Sequence, residues 1–149
     1  MIRPATLKDL DKLVDLENAG FSGDRISKRS YRHLLSRGHA IILVDEQNGI
    51  IRASCVVLFR RGFTQARLYS FVVAPGYRGQ GLGKALMVAL ENYVVDKGYT
   101  AISLEVREDN PQAIGLYQSH SYEIVGLYES YYTDKTHAIR MRKRLSHGY

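Results

Sequence analysis

The spacing of apolar residues predicts two helices near the N-terminus, followed by three strands. Between positions 7 and 18 the apolar residues recur every three or four residues, and the pair Thr6 and Asp9 is typical of a helix start. The segment 20–23, with two glycines, ends this helix, and Ser27 is placed to begin a second helix that ends at Gly38. The apolar runs that follow predict antiparallel strands at residues 40–44, 50–59 and 65–73, the first two joined by a turn at 46–49.

The second half of the chain returns to helical spacing and then alternates between helix and strand. Residues 81–97 carry one apolar face, and Gly98 suits the end of that helix. Residues 101–106 alternate between apolar and polar positions, which predicts a strand with Glu105 on its polar face.

Asn110 followed by Pro111 predicts the start of a further helix, which reaches about residue 119. Two final strands are predicted at residues 122–128 and 137–145. The order is then β-α-α-β-β-β-α-β-α-β-β. We therefore expect an α/β (α+β) fold, with a mixed sheet of about seven strands and about four helices packed on its faces.

Composition is that of an ordinary globular protein. The 149 residues, 45% hydrophobic and 24% charged, predict a single domain over 1–149. No apolar run approaches the roughly 20 residues of a membrane helix, and the chain starts without an apolar signal region. We therefore predict a cytoplasmic protein without membrane contact. The single cysteine, Cys55, is interpreted as a buried strand residue rather than a nucleophile.

The formal net charge of +6 is compatible with nucleic-acid binding, with an anionic ligand or simply with solubility. Because the basic residues are scattered and form no long tract, they favour a basic surface that attracts an anionic ligand. The five histidines share no ligand spacing, so the sequence predicts no metal site.

A glycine-rich loop stands immediately before the helix at 81–97. Glycines at three alternate positions leave backbone N–H groups open to a close ligand, and the helix N-terminus adds about half a positive charge. Arg78 and Lys84 add full charges. The predicted phosphate or pyrophosphate cradle consists of Arg78, Gly79, Gln80, Gly81, Leu82, Gly83 and Lys84.

Two common nucleotide loops do not fit these residues. The three glycines have the wrong spacing for a dinucleotide-binding fingerprint. A P-loop needs glycine where Arg78 stands and Ser or Thr where Ala85 stands.

The pattern Arg78-x-x-Gly81-x-Gly83 resembles the R/Q-x-x-G-x-G/A loop of the GNAT superfamily of N-acetyltransferases. Residues 68–75 look like the strand that precedes this loop in the family. Residues 104–117 look like the following strand and helix, in the string Leu104-Glu105-Val106-Arg107-x-x-Asn110-x-x-Ala113-Ile114-x-Leu116-Tyr117. This string is similar to the branch that acetylates protein N-terminal amines, typified by the ribosomal-protein-alanine acetyltransferases. The resemblance implies a twisted, mostly antiparallel sheet.

The resemblance implies acetyl-CoA as co-substrate and assigns residues to it. The backbone of Phe71, Val72 and Val73 would pair with the pantetheine arm, and the amides of 79–84 would hold the pyrophosphate. Asn110 would touch the cofactor, although it also serves as a helix cap.

The resemblance also implies the chemistry. Glu105 is the candidate general base, acting directly or through a water, and Tyr117 the candidate general acid, which also borders the cofactor. The N–H of Val73 is the candidate oxyanion donor. A solvated strand-face position for Glu105 and a packing role for Tyr117 remain open.

The acceptor site is assigned from two segments. Tyr131 and Tyr132 resemble the tyrosine pair beside the peptide groove of N-terminal acetyltransferases, although they are also compatible with strand-end aromatics. Phe21, Ser22 and Arg25 would form the opposite wall.

The predicted enzyme transfers an acetyl group to a primary amine, with a protein or peptide N-terminus as the first expectation. A small amine, a lysine side chain, a non-catalytic acyl-CoA sensor and a nucleic-acid-binding module remain alternatives. We expect a monomer or homodimer, linked to nucleic acid only through a ribosomal-protein substrate. The chain departs from the family pattern at Ser121 and Arg52, where glycine is usual.

Overall fold

A computed structural model describes residues 1–20, 25–37 and 39–145, with the side chain of Arg37 left out. The order of elements agrees with the predicted one. They are β1 (Ile2–Pro4), α1 (Leu10–Gly20), α2 (Lys28–Arg37), β2 (Ala40–Gln47), β3 (Ile50–Leu58), β4 (Gln65–Val73), α3 (Leu82–Asp96), β5 (Ala101–Arg107), α4 (Pro111–Ser119), β6 (Glu123–Tyr128) and β7 (Ala138–Arg144). Over these ranges, no helix is long and apolar enough to cross a membrane.

Short-range hydrogen bonds explain why the helices begin where the sequence predicts. The Asp9 carboxylate accepts the Thr6 N–H at 2.8 Å in a short 3-10 turn that leads into α1. The Ser27 hydroxyl accepts the Ser30 N–H at 3.1 Å at the start of α2. The Asn110 side chain accepts the Ala113 N–H at 3.1 Å at the start of α4.

The turn between β2 and β3 is shorter than predicted. Glu46 and Gln47 belong to β2, where Gln47 pairs with Ile50. The prediction of a turn over 46–49 was wrong because Asn48 and Gly49 suffice. Their φ angles of 53° and 80° form the tight two-residue connection that suits strand twist.

The seven strands form one sheet in the order β1-β2-β3-β4-β5-β7-β6. All neighbours are antiparallel except β4 and β5, which are parallel, so the predicted fold class is confirmed. One apolar core joins the sheet to α3 and α4, and it includes the fully buried Cys55. A second core joins the opposite face to α1 and α2.

A β-bulge at Tyr69 reverses the faces of β4 partway along its length. Val57 pairs with Leu68 and Val56 pairs with Ser70, which leaves Tyr69 as the extra residue. Before the bulge Leu68 belongs to the α3–α4 core, whereas after it Val72 belongs to the α1–α2 core. The bulge therefore turns Phe71 and Val73 towards α3 and α4, where both pack against that core.

The parallel strands β4 and β5 stop pairing at Leu68, immediately before the bulge residue Tyr69. Within the described ranges, their pairing runs from Gln65 and Ala101 to Leu68 and Leu104. Each strand continues beyond this point, with β4 still paired to β3 and β5 still paired to β7. The sheet therefore has a wedge-shaped opening in its middle.

Ser121 and Arg52, which depart from the family pattern, both lie at irregular positions of the backbone. Ser121 takes the left-handed φ of 71° that glycine usually supplies, and α4 ends with bonds from the N–H groups of Ser121 and Tyr122 to the carbonyls of Gln118 and Tyr117. Arg52 lies at an irregularity between β2 and β3, and its guanidinium contacts the Asp45 carboxylate at 2.7 Å.

Candidate active site

A cleft of about 1000 Å³ occupies the opening between β4 and β5. It is lined on one side of the sheet by α4 and on the other by the end of α1, the residues before α2 and the β6–β7 loop. The cleft therefore passes through the sheet. It brings together seven of the predicted site residues: Arg25, Phe71, Glu105, Asn110, Tyr117, Tyr131 and Tyr132.

Glu105 lies on β5 directly after the last residue paired with β4. Its side chain is 14% exposed, and Oε2 accepts a hydrogen bond from Nε of Arg67 at 3.1 Å. In the part of the chain that the structure describes, Oε1 accepts no hydrogen bond. One carboxylate oxygen is thus available towards the cleft.

Tyr117 lies on α4 and is nearly buried, at 8% exposure. Its ring meets the ring of Phe71 edge-on at 6.3 Å and that of Tyr122 at 5.9 Å. Burial raises the pKa of Tyr117, and the neighbouring Tyr132 and Cys55 act in the same direction. The phenol therefore keeps its proton through the neutral range and faces the cleft as a donor.

The β6–β7 loop supplies an aromatic wall, held by Arg107 at the end of β5. The Arg107 guanidinium donates to Asp134 at 2.6 Å and to Thr136 at 2.9 Å, and it lies 4.9 Å from the Tyr132 ring centre. The hydrogen bond from Arg107 lowers the pKa of Asp134 well below its usual range. The ion pair thus fixes the loop that carries the predicted tyrosine pair.

The opposite wall is only partly within the described ranges. Arg25 is exposed and donates to the Asn18 side chain at 3.3 Å. Phe21 and Ser22, which were predicted for this wall, lie outside the described residues.

Glu17 is a cleft residue that the sequence reasoning missed. It is 1% exposed, and its carboxylate accepts hydrogen bonds from Ser70 at 2.7 Å, Tyr31 at 3.0 Å and the N–H of Ile26 at 3.1 Å. Burial, followed by the charge of Glu17, raises the pKa of Tyr31. The signal was its position seven residues after Leu10, on the buried face of α1.

The glycine loop lies beside the cleft rather than in its lining. Gly79 and Gly81 both have a φ of 80°, which strongly favours glycine. The helix bond from Ala85 N–H to Gly81 O, at 3.1 Å, leaves the amides of the first turn of α3 without helical partners. Arg78 bends back and donates to the Val73 carbonyl at 3.3 Å.

Gly83 connects this loop to the cleft. A Cβ at Gly83 would lie 3.8 Å from the Phe71 ring and 3.9 Å from both Val73 and Leu116, so α3 packs closely against the end of β4. The exposed loop residues and Lys84 thus lie at the end of the same strand that borders the cleft.

The free edge of β4 points into the opening. Ala74 donates its N–H to Arg52 of β3 at 2.8 Å, so by antiparallel alternation Val72 also faces β3. The backbone groups of Phe71 and Val73 then point the other way, towards β5. Val72 itself turns its backbone to β3 and its side chain into the α1–α2 core, at 4% exposure.

The described residues contain no group of three or more His, Cys, Asp or Glu side chains able to hold a metal ion. The site thus combines a wedge between parallel strands, a glycine loop at the end of the first of them and a cleft that passes through the sheet. Comparison with known proteins identifies the class of enzyme.

The Acetyltransferase (GNAT) family matches residues 10–122. A Bacillus subtilis (strain 168) protein, provisionally named a ribosomal protein bS18-alanine N-acetyltransferase, is 30% identical over 89% of this chain and 87% of that protein. This chain therefore belongs to the GNAT acetyltransferase family, and it is an N-acetyltransferase.

Solved structures agree with this assignment. The Escherichia coli ribosomal-protein-S18-alanine N-acetyltransferase superposes with a TM-score of 0.89 at 26% identity, covering 100% of this chain and 96% of that one. Ard1 from Thermoplasma volcanium superposes with a TM-score of 0.90 at 24% identity, covering 98% and 97% of the two chains, and this likeness concerns the fold.

Proposed function

We propose that this enzyme transfers the acetyl group of acetyl-CoA to the α-amine at the N-terminus of a protein or peptide. The observation that carries the proposal is the cleft through the sheet, which joins the free edge of β4 on one side to a groove walled by Tyr131 and Tyr132 on the other. The Bacillus subtilis and Escherichia coli relatives, both named for alanine N-acetylation of a ribosomal protein, support the same acceptor class.

The chain's own features fit acetyl-CoA. The backbone edge at Phe71 and Val73 matches an extended pantetheine arm, which can pair with it as an added strand. The open amides from Gly79 to Lys84, with the charges of Arg78 and Lys84, match a pyrophosphate. Asn110 uses its side-chain oxygen as a helix cap, which leaves its amide NH₂ for the cofactor. Val72, whose backbone faces β3, would contribute to cofactor binding only by holding its neighbours Phe71 and Val73 in the strand.

Acetyl-CoA supplies the activated thioester. Glu105 would accept the proton of the attacking amine through its available oxygen, directly or through a water. The N–H of Val73, directed into the opening, would donate to the developing oxyanion. Tyr117, kept neutral by burial, would donate its hydrogen to the departing sulfur.

An N-terminal amine suits a site with this base. Its pKa near 8 lies below the roughly 10.4 of a lysine side chain, so deprotonation at neutral pH costs about 3 kcal/mol less. The exposed Tyr131 and Arg25 on facing walls leave room for the residues that follow the N-terminus.

The test measures CoA release and product mass with three kinds of acceptor. Short peptides with a free α-amine, the same peptides with a blocked N-terminus and an internal lysine, and polyamines are compared at equal concentration. We expect acetylation only of the free α-amine peptides. Equal turnover of the blocked lysine peptides or the polyamines would contradict the proposal.

Two substitutions test the assigned chemistry. Glu105→Gln and Tyr117→Phe should each lower kcat by about 10²- to 10⁴-fold, the usual contribution of a positioned acid or base. Acetyl-CoA affinity, measured by calorimetry, should stay near the wild-type value. Unchanged turnover in either variant would remove that residue from the mechanism.

A further inference from the structure

Arg67 joins the candidate base to the aromatic wall of the acceptor groove. Its Nε donates to Glu105 Oε2 at 3.1 Å, and its Nη2 donates to the Tyr131 hydroxyl at 2.9 Å. A single planar guanidinium therefore contacts both β5 and the β6–β7 loop, on the cleft side of the contacts that Arg107 makes at the end of β5. Its side chain is 38% exposed and lines the cleft.

The register of the sheet explains why Arg67 reaches Glu105. Arg67 pairs with Ser103 in the last parallel stretch before the strands separate. Residues two apart on β5 share a face, so Arg67 and Glu105 are diagonal neighbours on the same side of the sheet. Glu105 is the first β5 residue without a β4 partner, and the guanidinium spans the point where the opening begins.

The other end of the contact is also fixed. Tyr131 stacks on Tyr128 with ring centres 5.6 Å apart and meets Tyr132 edge-on at 5.1 Å. The Arg67 guanidinium also lies 5.3 Å from the ring centre of the bulge residue Tyr69. Burial disfavours the charge of Arg67, but Glu105 and Tyr131 outweigh it and raise its pKa. Two neighbours on different elements thus hold the guanidinium in the cleft.

We propose that Arg67 is a positioning residue that orients Glu105 and Tyr131 together, so that the base and the acceptor groove keep a fixed relation. The proposal rests on the proposed function, because it assumes that Glu105 accepts the proton and Tyr131 borders the acceptor. By engaging Oε2, Arg67 directs Oε1 towards the amine. A guanidinium presents its donors in a fixed planar fork that sets both contacts, whereas the three donors of a lysine ammonium share one rotatable nitrogen and fix neither geometry.

The experiment compares Arg67→Gln and Arg67→Lys with Arg61→Gln, an exposed arginine in the turn between β3 and β4. Arg67→Gln should lower kcat/KM by about 10- to 100-fold, with a fall in kcat and a rise in the peptide KM. Arg67→Lys should recover part of kcat, and Arg61→Gln should match the wild type. Acetyl-CoA affinity and Tm should stay unchanged in all three.

A double-variant cycle with Tyr131→Phe identifies the route. If Arg67 acts through Tyr131, the double variant loses less than the product of the two single losses. Wild-type kcat and peptide KM in Arg67→Gln would overturn the proposal. So would a loss confined to Tm or acetyl-CoA affinity, or fully multiplicative losses in the double variant.

The test of Arg67 and the test of the acceptor class can each fail without the other failing. The Arg67 variants are measured as ratios to the wild type with whichever amine the wild-type enzyme acetylates. A wild type that rejects peptide α-amines would overturn the proposed acceptor, whereas the ratios would still decide the role of Arg67.

Discussion

At the scale of single residues, Glu17 places a carboxylate beneath the cleft with three neutral donors around it. Two of the donors are hydroxyls, of Tyr31 and Ser70, and the third is the N–H of Ile26. These partners come from α2, β4 and the segment before α2. One side chain thus links the acceptor side of the cleft to the sheet. It stabilises the protein by accepting hydrogen bonds from donors that would otherwise be buried without an acceptor.

The expected effect of Glu17→Leu is a loss of about 3 kcal/mol in the free energy of unfolding, because buried donors lose their acceptor. Glu17→Gln should cost much less. Its amide oxygen can accept from Ile26, and the two hydroxyls can reverse and accept from its NH₂. Urea unfolding at neutral pH measures both variants. Equal stability of the Leu and Gln variants would show that hydrogen bonding is not what Glu17 contributes.

At the scale of secondary structure, the end of α1 approaches β4 so closely that only glycine fits. A Cβ on Gly20 would lie 2.3 Å from Cγ2 of Val72. Gly115, inside α4, is different, since a Cβ there would meet nothing within 4 Å. The two helical glycines therefore affect stability in opposite ways. Gly20 is required by packing, whereas Gly115 only weakens its helix, because glycine is a poor helix former.

We expect Gly20→Ala to destabilise the protein by about 1–3 kcal/mol, because Val72 must move within a packed core. Gly115→Ala serves as the matched control and should stabilise by up to about 1 kcal/mol through helix propensity. Thermal unfolding followed by circular dichroism gives both changes. A Gly20→Ala variant as stable as the wild type would mean that α1 and β4 adjust to the methyl group at little cost.

At the scale of the whole molecule, the opening in the sheet is the place where the facing backbone edges of β4 and β5 do not pair with each other. The sheet is continuous on either side of it, and the basic glycine loop lies at its rim. A net charge of +6 favours an anionic ligand there. A ligand that pairs with the free edge of β4 would therefore contact the loop, α3 and α4 at the same time.

Acetyl-CoA should therefore raise Tm. At about 100 times its Kd, a ligand that binds only the folded state adds about 2.7 kcal/mol to stability. For a protein of this size, that corresponds to a shift of roughly 5–10 °C. Differential scanning fluorimetry measures it. ATP at the same concentration is the control, because it carries phosphates but no pantetheine arm. An equal shift with ATP would show that phosphate binding alone accounts for the effect.

Much of the fold could be predicted because its signals are local. The caps at Thr6, Ser27 and Asn110 involve residues three apart. In the glycine loop, the glycines themselves determine which way the backbone amides point. The turn at Asn48 and Gly49 was predicted too long, since consecutive polar residues at a strand end resemble a turn until the partner strand is known.

The sequence alone therefore determined the elements, their order and the loop proposed for the cofactor, since all of these depend on residues within about one helical turn. The tertiary structure decided the bulge at Tyr69, the buried position of Glu17 and the bridge from Arg67 to Glu105 and Tyr131. The two ends of that bridge are 38 and 64 residues away along the chain. Contacts at such separations depend on which strands pair and in what register, whereas the pattern within one strand specifies only which of its faces is buried.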